Sequence, residues 1–249
     1  MRRTNLDKGL QELHTYIKQL GSLIEQAHVK TLTSLENGDL SLIPAVIEAD
    51  TSIDTYCADV ERYALRLLLL QQPLAGQDMR FLIATLHISN DLGRTSDTIV
   101  EIAEALLKVA SLSLENGEGK IIDHRRYAVP KDAVDQYGNM TDAFIIRGLL
   151  DLGKEITYRL QQTIKSFNAH DLTIARHIEM EHDPDKSRYM TLYNDILNMQ
   201  AQTSALSTLQ YDASIVQRAT YFLWIAHKLE QIAIYLNNIC KRIIFIVEG

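Results

Sequence analysis

Two cysteines, four prolines and a single tryptophan are a small allotment for 249 residues, and each shortage excludes something. Cys57 and Cys240 lie far apart and form no metal-ligand spacing, so a disulfide framework is not expected and a reducing cytoplasm is the simpler compartment. With so few prolines and only 11 glycines, few positions force a break, and long regular elements can persist. Long apolar runs are scarce too. The strongest, Ala64 to Leu70, contains Arg66 and is far too short to span a bilayer. Met1-Arg-Arg is followed by Thr-Asn-Leu-Asp-Lys rather than by an apolar signal region. The net charge is −7, and basic residues cluster only at Arg2-Arg3, His124-Arg125-Arg126 and Lys241-Arg242, which argues against nucleic-acid binding. No Gly-rich phosphate loop, nucleophile elbow or Cys–His arrangement occurs, so no catalytic residue is assigned and the chain reads as a non-enzyme.

What the chain does have is helical periodicity. Leu6, Leu10, Leu13, Ile17, Leu20, Leu23, Ile24, Ala27 and Leu32 recur mostly at intervals of three and four, marking one face of a helix over 6–36. Asn37-Gly38-Asp39 punctuates it, with Gly38 suited to a left-handed terminal position and Asp39 to the next N-cap. Helices over about 40–71 and 76–114 follow, separated at Gln72-Pro73. The stretch 115–138 loses periodicity and carries Gly117, Gly119, Pro130 and Gly138, which predicts a linker or inserted loop. Three further helices are expected at about 140–168, 171–205 and 208–247.

The two halves also resemble each other. Leu35-Glu-Asn-Gly-Asp-Leu40 matches Phe167-Asn-Ala-His-Asp-Leu172, and Asp50-Thr-Ser-Ile-Asp54 matches Glu181-His-Asp-Pro-Asp185. The stretch from Ile88 to Asp97 is answered by Ile225 to Ile234. The expectation is an all-α fold of two tandem three-helix bundles with long antiparallel helices, residues 1–114 and 139–249.

Certain segments carry a likeness to a known family. Leu67-Leu-Leu-Leu-Gln-Gln-Pro-Leu-Ala-Gly-Gln-Asp-Met-Arg-Phe81 resembles the PhoU signature, in which one helix ends at Gln-Gln-Pro and the next begins at Asp-Leu-Arg. Ser89-Asn-Asp-Leu-Gly-Arg-Thr-Ser-Asp97 is similar to that family's Asp-Leu-Glu-Arg-Ile-Gly-Asp segment, and Ile243-Ile-Phe-Ile-Val-Glu-Gly249 to its C-terminus. The resemblance implies a cytoplasmic, non-catalytic negative regulator of phosphate uptake and phosphate-starvation signalling. It would be a homodimer that docks on the ATPase subunit of a phosphate ABC transporter and on a sensor histidine kinase. It would meet the membrane only through those partners. It further implies iron, zinc, manganese or magnesium at paired acidic motifs. An accessory protein of another phosphate permease is the neighbouring alternative.

Asp50 and Asp54, four apart, present two carboxylates on one helix face, and Asp97, Glu101 and Glu104 do so on the next helix. Such oxygen donors suit hard or borderline cations. Acidic pairs at this spacing occur about as often as the acid content alone would give; these two gain weight from coinciding with the family's motifs. In the second half the matching positions are Glu181, Asp185 and Asn238. There Pro184 disturbs the helix, a one-residue shift would bring in His182, and Ile234 and Lys241 stand where carboxylates are expected. Gly93 and Thr98 depart from the family's Glu and His. Arg80 and Arg94 are candidates for a partner surface, against a plain helix-start role for Arg80 and an ion pair of Arg94 with Asp97. Two Glu-x-x-His pairs, Glu25–His28 and Glu179–His182, allow a ferritin-like di-iron oxidase as a remote alternative. Trp224, with Tyr221 and Phe222, reads as a core aromatic patch.

Overall fold

A computed structural model of the chain describes residues 2–70, 74–115, 142–180, 182–206 and 213–249. Helix α1 runs Arg2–Asn37, and a 3-10 turn at Leu40–Leu42 leads into α2, Ile43–Leu70. Pro44 is the second residue of α2, where its missing amide would have no intrahelical partner anyway. Helix α3 spans Gly76–Glu115 and α4 spans Asp142–Ala169. Where one helix was expected over 171–205 there are two, α5 (Leu172–Met180) and α6 (His182–Leu206). Pro184 explains the division. Inside a continuous helix it would remove a hydrogen bond and crowd the preceding turn, but as the third residue of α6 it falls among amides that no helical carbonyl uses. Helix α7, Ala213–Glu248, completes the chain. The expected linker over 115–138 falls, after Glu115, outside the described residues.

The architecture is a tandem pair of helical bundles, α1–α2–α3 and α4–α5/α6–α7. Each helix turns a stripe inward at alternating intervals of three and four. Leu13, Ile17, Leu20 and Ile24 of α1 are wholly buried, as are Ile88 and Leu92 of α3 and Ile225, Ile232, Leu236, Ile239 and Ile243 of α7. Burial of each such side chain contributes about 1.5–3 kcal/mol. No described helix is long and apolar enough to cross a membrane.

The internal repeat extends to the helix ends. Gly38 has φ 68° and His170, at the matching position, has φ 51°. Asp39 Oδ1 accepts from the Ser41 amide at 3.0 Å, and Asp171 Oδ1 accepts from the Thr173 amide at 2.9 Å. Each left-handed residue stops one helix, and each aspartate caps the next. A Cβ at the first of these positions meets the steric penalty of the left-handed region. Gly38→Ala is therefore expected to lower stability by about 1–2 kcal/mol in urea unfolding.

The two bundles share one apolar core. Their broadest contact is α3 along α7, and α1 lies along α4. Glycine permits the second contact: a Cβ on Gly21 would stand 2.6 Å from Ile164, and one on Gly153 would stand 2.3 Å from Leu32. The buried His28 donates from Nε2 to the Gly153 carbonyl at 3.0 Å, and Gln161 donates to Glu25 at 2.6 Å. At one end His14 stacks on Phe81 with centroids 4.6 Å apart, and it also meets Phe167 and the His170 ring. The aromatic patch expected in the core is divided: Phe222 is fully buried, but Trp224 is 47% exposed. On α7 Ile234 and Val247 are exposed as well, while Tyr221, Leu223, Ile244 and Phe245 pack against the core half-buried.

Candidate functional site

Helix α2 carries Asp50, Asp54 and Cys57 at spacings of four and three; Asp54 is exposed, and Asp50 and Cys57 meet a stripe of small residues on α3, Ser89, Gly93 and Ser96. The small side chains let the helices approach. The Ser96 hydroxyl donates to Asp50 Oδ1 at 2.5 Å, the Cys57 thiol reaches the Ser89 carbonyl at 3.6 Å, and a Cβ on Gly93 would stand 3.3 Å from Cys57 Sγ. The departure from Glu at Gly93 therefore leaves space that Cys57 occupies. Thr98, where the family has His, turns its hydroxyl back to the Arg94 carbonyl at 2.7 Å. It is spent on its own helix.

Asp97 stands beside this seam. Its carboxyl has a raised pKa, first because the helices strip part of its hydration, then because Asp50, Asp54 and Glu101 place negative charge nearby; Arg94 opposes them. Burial pushes the Cys57 thiol up as well; the bond to Ser89 opposes this, and Asp54, Asp97 and Asp50 add to it. The two acidic helices thus share one electrostatic neighbourhood on the face of the first bundle. Among the described residues no three His, Cys, Asp or Glu side chains are grouped as a metal-binding set. The convergence is one of charge and donor type.

The remaining candidates are placed as follows. Glu101 pairs with Lys228 of α7, whose ammonium also lies 4.5 Å above the Trp224 ring. Glu104 is exposed and lines an open groove of about 640 Å³ with Lys108, Tyr193, Tyr221, Trp224 and His227. Arg94 lies with its guanidinium 4.7 Å over the Tyr235 ring, a contact between the repeats. Arg80 is half-buried, its Nη1 3.3 Å from where a Cβ on Gly249 would be, beside the C-terminal end of α7. A cation there suits the negative end of a helix. In the second bundle Glu181 and the Asp185 side chain lie outside the described residues. Asn238 is half-buried on α7, one turn after Ile234, which is exposed. For the oxidase alternative, Glu25 and His28 are both engaged by α4, at Gln161 and Gly153. Sequence reasoning missed Ser96 and Lys228. Ser96 stood next to Asp97, but nothing local marks a lysine 127 positions after Glu101 as its partner.

Residues 17–106 and 149–243 both match the PhoU domain. The chain belongs to the PhoU family. Among curated PhoU relatives, the phosphate-specific transport system accessory protein PhoU homolog of Clostridium acetobutylicum is 24% identical over 249 residues, covering all of this chain and 97% of that one. The homolog from Streptococcus pneumoniae serotype 4 is 24% identical over 247 residues, covering 99% of this chain and 97% of its own. The crystal structure of PhoU from Pseudomonas aeruginosa superposes with a TM-score of 0.77 at 19% identity, over 98% of this chain and 99% of that one. That of the phosphate transport system regulatory protein PhoU from S. pneumoniae gives 0.73 at 24% identity, over 98% and 97%. The PhoU fold accounts for both repeats, and the named PhoU relatives are accessory or regulatory proteins.

Proposed function

We propose that this chain is an accessory protein of a phosphate-specific transport system. It restrains phosphate uptake and starvation signalling from the cytoplasm by docking, as a homodimer, on the transporter's ATPase subunit and on a sensor histidine kinase. The observation that carries the reading is the match of both repeats to the PhoU domain, together with near end-to-end alignment to relatives named for that system. Co-purification of the tagged chain with the ATPase subunit of its own organism tests it. A deletion strain is expected to take up more phosphate and to express starvation genes in rich medium. Co-purification with a different phosphate permease, and not with the ATPase, would favour the alternative partner.

Within this reading the acidic face of the first bundle holds a divalent or iron cation. The reading is supported only by donor type and charge: Asp50 and Asp54 on α2 and Asp97 on α3 are carboxylates of the kind such cations take, the Asp97 pKa is raised by desolvation and then by neighbouring negative charge, and the described side chains are not gathered into a set of three donors. A bound cation would supply positive charge that cancels this repulsion and ties α2 to α3. The second bundle fits poorly, with Ile234 and Lys241 at two of the matching positions. In protein purified without chelator, the double substitution Asp50→Asn, Asp97→Asn is expected to bring bound metal to background by elemental analysis. It should leave the metal-free protein at least as stable to heat. Unchanged metal content would remove the ligand assignment.

A further inference from the structure

We propose that the outer face of α3 and α7 is the surface on which two copies of this chain pair, Lys241 of each seating in the other's groove beside Glu104 and Trp224. This rests on the homodimer reading above and deepens it by naming the face. Three contacts fix its geometry: Glu101 with Lys228, Arg94 over Tyr235, and Arg80 beside Gly249 show the two helices running antiparallel. Their outer stripes differ in charge. Helix α3 carries Asp97, Glu101 and Glu104 where the matching positions of α7 are Ile234, Asn238 and Lys241. Because the helices are antiparallel, Glu104 lies toward one end of the seam, and Lys241 and Arg242 lie toward the other.

The groove is built to receive a cation. Glu104 is exposed and has no ion pair among the described residues, and Trp224, despite the Lys228 ammonium over its ring, is still 47% exposed. A carboxylate beside an indole attracts an ammonium group. Lys108 and His227 also line the groove and repel a cation placed between them, which directs it to the Glu104–Trp224 side. Lys241 is exposed, has no ion pair among the described residues, and lies on the same stripe of α7 as Trp224. It stands about 25 Å from Trp224 along the helix, at 1.5 Å per residue, and so cannot reach the groove of its own chain. Ile234 is exposed between the two sites. A second copy turned about a two-fold axis across the seam at Ile234 brings each Lys241 to the other's Glu104 at once, and the pair closes. The surface is large enough. Helices α3 and α7, of 40 and 36 residues and each about 10 Å across, present a face about 50 Å long, more than the roughly 800 Å² per partner of a specific contact.

Sedimentation velocity of the full-length protein over a range of concentrations tests this, with chelator present so that no cation bridges the copies. Wild-type protein is expected to dimerise. Glu104→Lys and Lys241→Glu each set like charges together at both contacts and should raise the dissociation constant roughly ten- to hundredfold. Mixed in equal amounts, the two variants should pair with each other about as tightly as wild type, because each contact then regains one charge of each sign. Restoration requires both to be folded, so it also excludes misfolding as the cause of the loss. Emission of Trp224, the chain's one tryptophan, should shift as the wild type dimerises. Ile234→Asp, at the axis, should weaken pairing without altering either charge. A wild-type dimer that both reversals leave intact, or reversed variants that do not pair when mixed, would overturn this face while leaving the homodimer reading standing. A wild type that stays monomeric at every concentration would overturn both. Should either reversal fail to fold by circular dichroism, Ile234→Asp decides: a dimer unchanged by it overturns the face.

Discussion

Truncating Glu155 to alanine is expected to cost about 3–5 kcal/mol of folding stability. Its Oε1 lies 3.6 Å from the guanidinium of Arg159, which is 1% exposed and among the largest fully buried side chains in the molecule. Oε2 accepts from Arg188 at 2.7 Å. Removing the carboxylate withdraws a counter-charge from a guanidinium inside the second bundle, and loss of compensation for a buried charge costs far more than a surface ion pair contributes. Arg159→Met makes the contrast. It removes the charge that needs compensation and nearly conserves volume, so it should change stability by less than about 1.5 kcal/mol. Urea unfolding of both variants, at equal m-values, measures the difference. If the alanine variant is no less stable than the methionine one, Arg159 is held by its surroundings without Glu155.

Acid should destabilise the protein well before most carboxylates titrate. His14, stacked among Phe81, Phe167 and His170, has its pKa lowered to about 4 by burial and by the neighbouring imidazole. In the unfolded chain it titrates near 6.5. Between those values the unfolded form holds more protons than the folded one, so stability is complete above about 6.5 and falls as pH drops toward 4. The full shift corresponds to about 3 kcal/mol, reduced to about 1–2 kcal/mol because the ring is only partly buried. His28, wholly buried, is shifted down by desolvation, against the bond to Gly153, and acts in the same direction. Asp91, Asp97 and Asp195 have raised pKa values, so their protonation eases the folded state as pH falls and opposes the histidines closer to the carboxylate range. His14→Gln isolates the first contribution: its loss of stability from pH 7 to 5 should be smaller than wild type's by about 1 kcal/mol. Parallel pH profiles for the two proteins would show that the ring does not carry the effect.

The helices were legible because the signal that forms them is local. A stripe such as Leu13, Ile17, Leu20 and Ile24 is visible in a window of a dozen residues, and so is Gly38-Asp39 with its counterpart His170-Asp171. Pro184 was visible too, but whether it kinks one helix or separates two depends on packing that no short window contains. The acidic spacing on α2 and α3 was equally plain, whereas its surroundings were not. Arg94 had Asp97 three residues away as an obvious neighbour, but nothing local marks Tyr235, more than a hundred residues distant in sequence, as the ring its guanidinium covers. Trp224 sits in an unbroken apolar stretch, and only the position of α7 among the other helices decides which of those side chains face water. Lys228 escaped notice for the same reason. Contacts between the repeats are set by how two bundles dock, and nothing in either repeat's own periodicity records that.

The continuous apolar interior has a consequence for how such a molecule can signal. Leu32 nests over Gly153 and Ile164 over Gly21, so swinging one half against the other would pull apart an interlocked seam. Jaw-like closure, the usual manner of a two-lobed protein, is denied to it. Whatever message this block carries must be written on its outer surface, in which charges are neutralised and which aromatic rings stand uncovered, and be read there by whatever binds it.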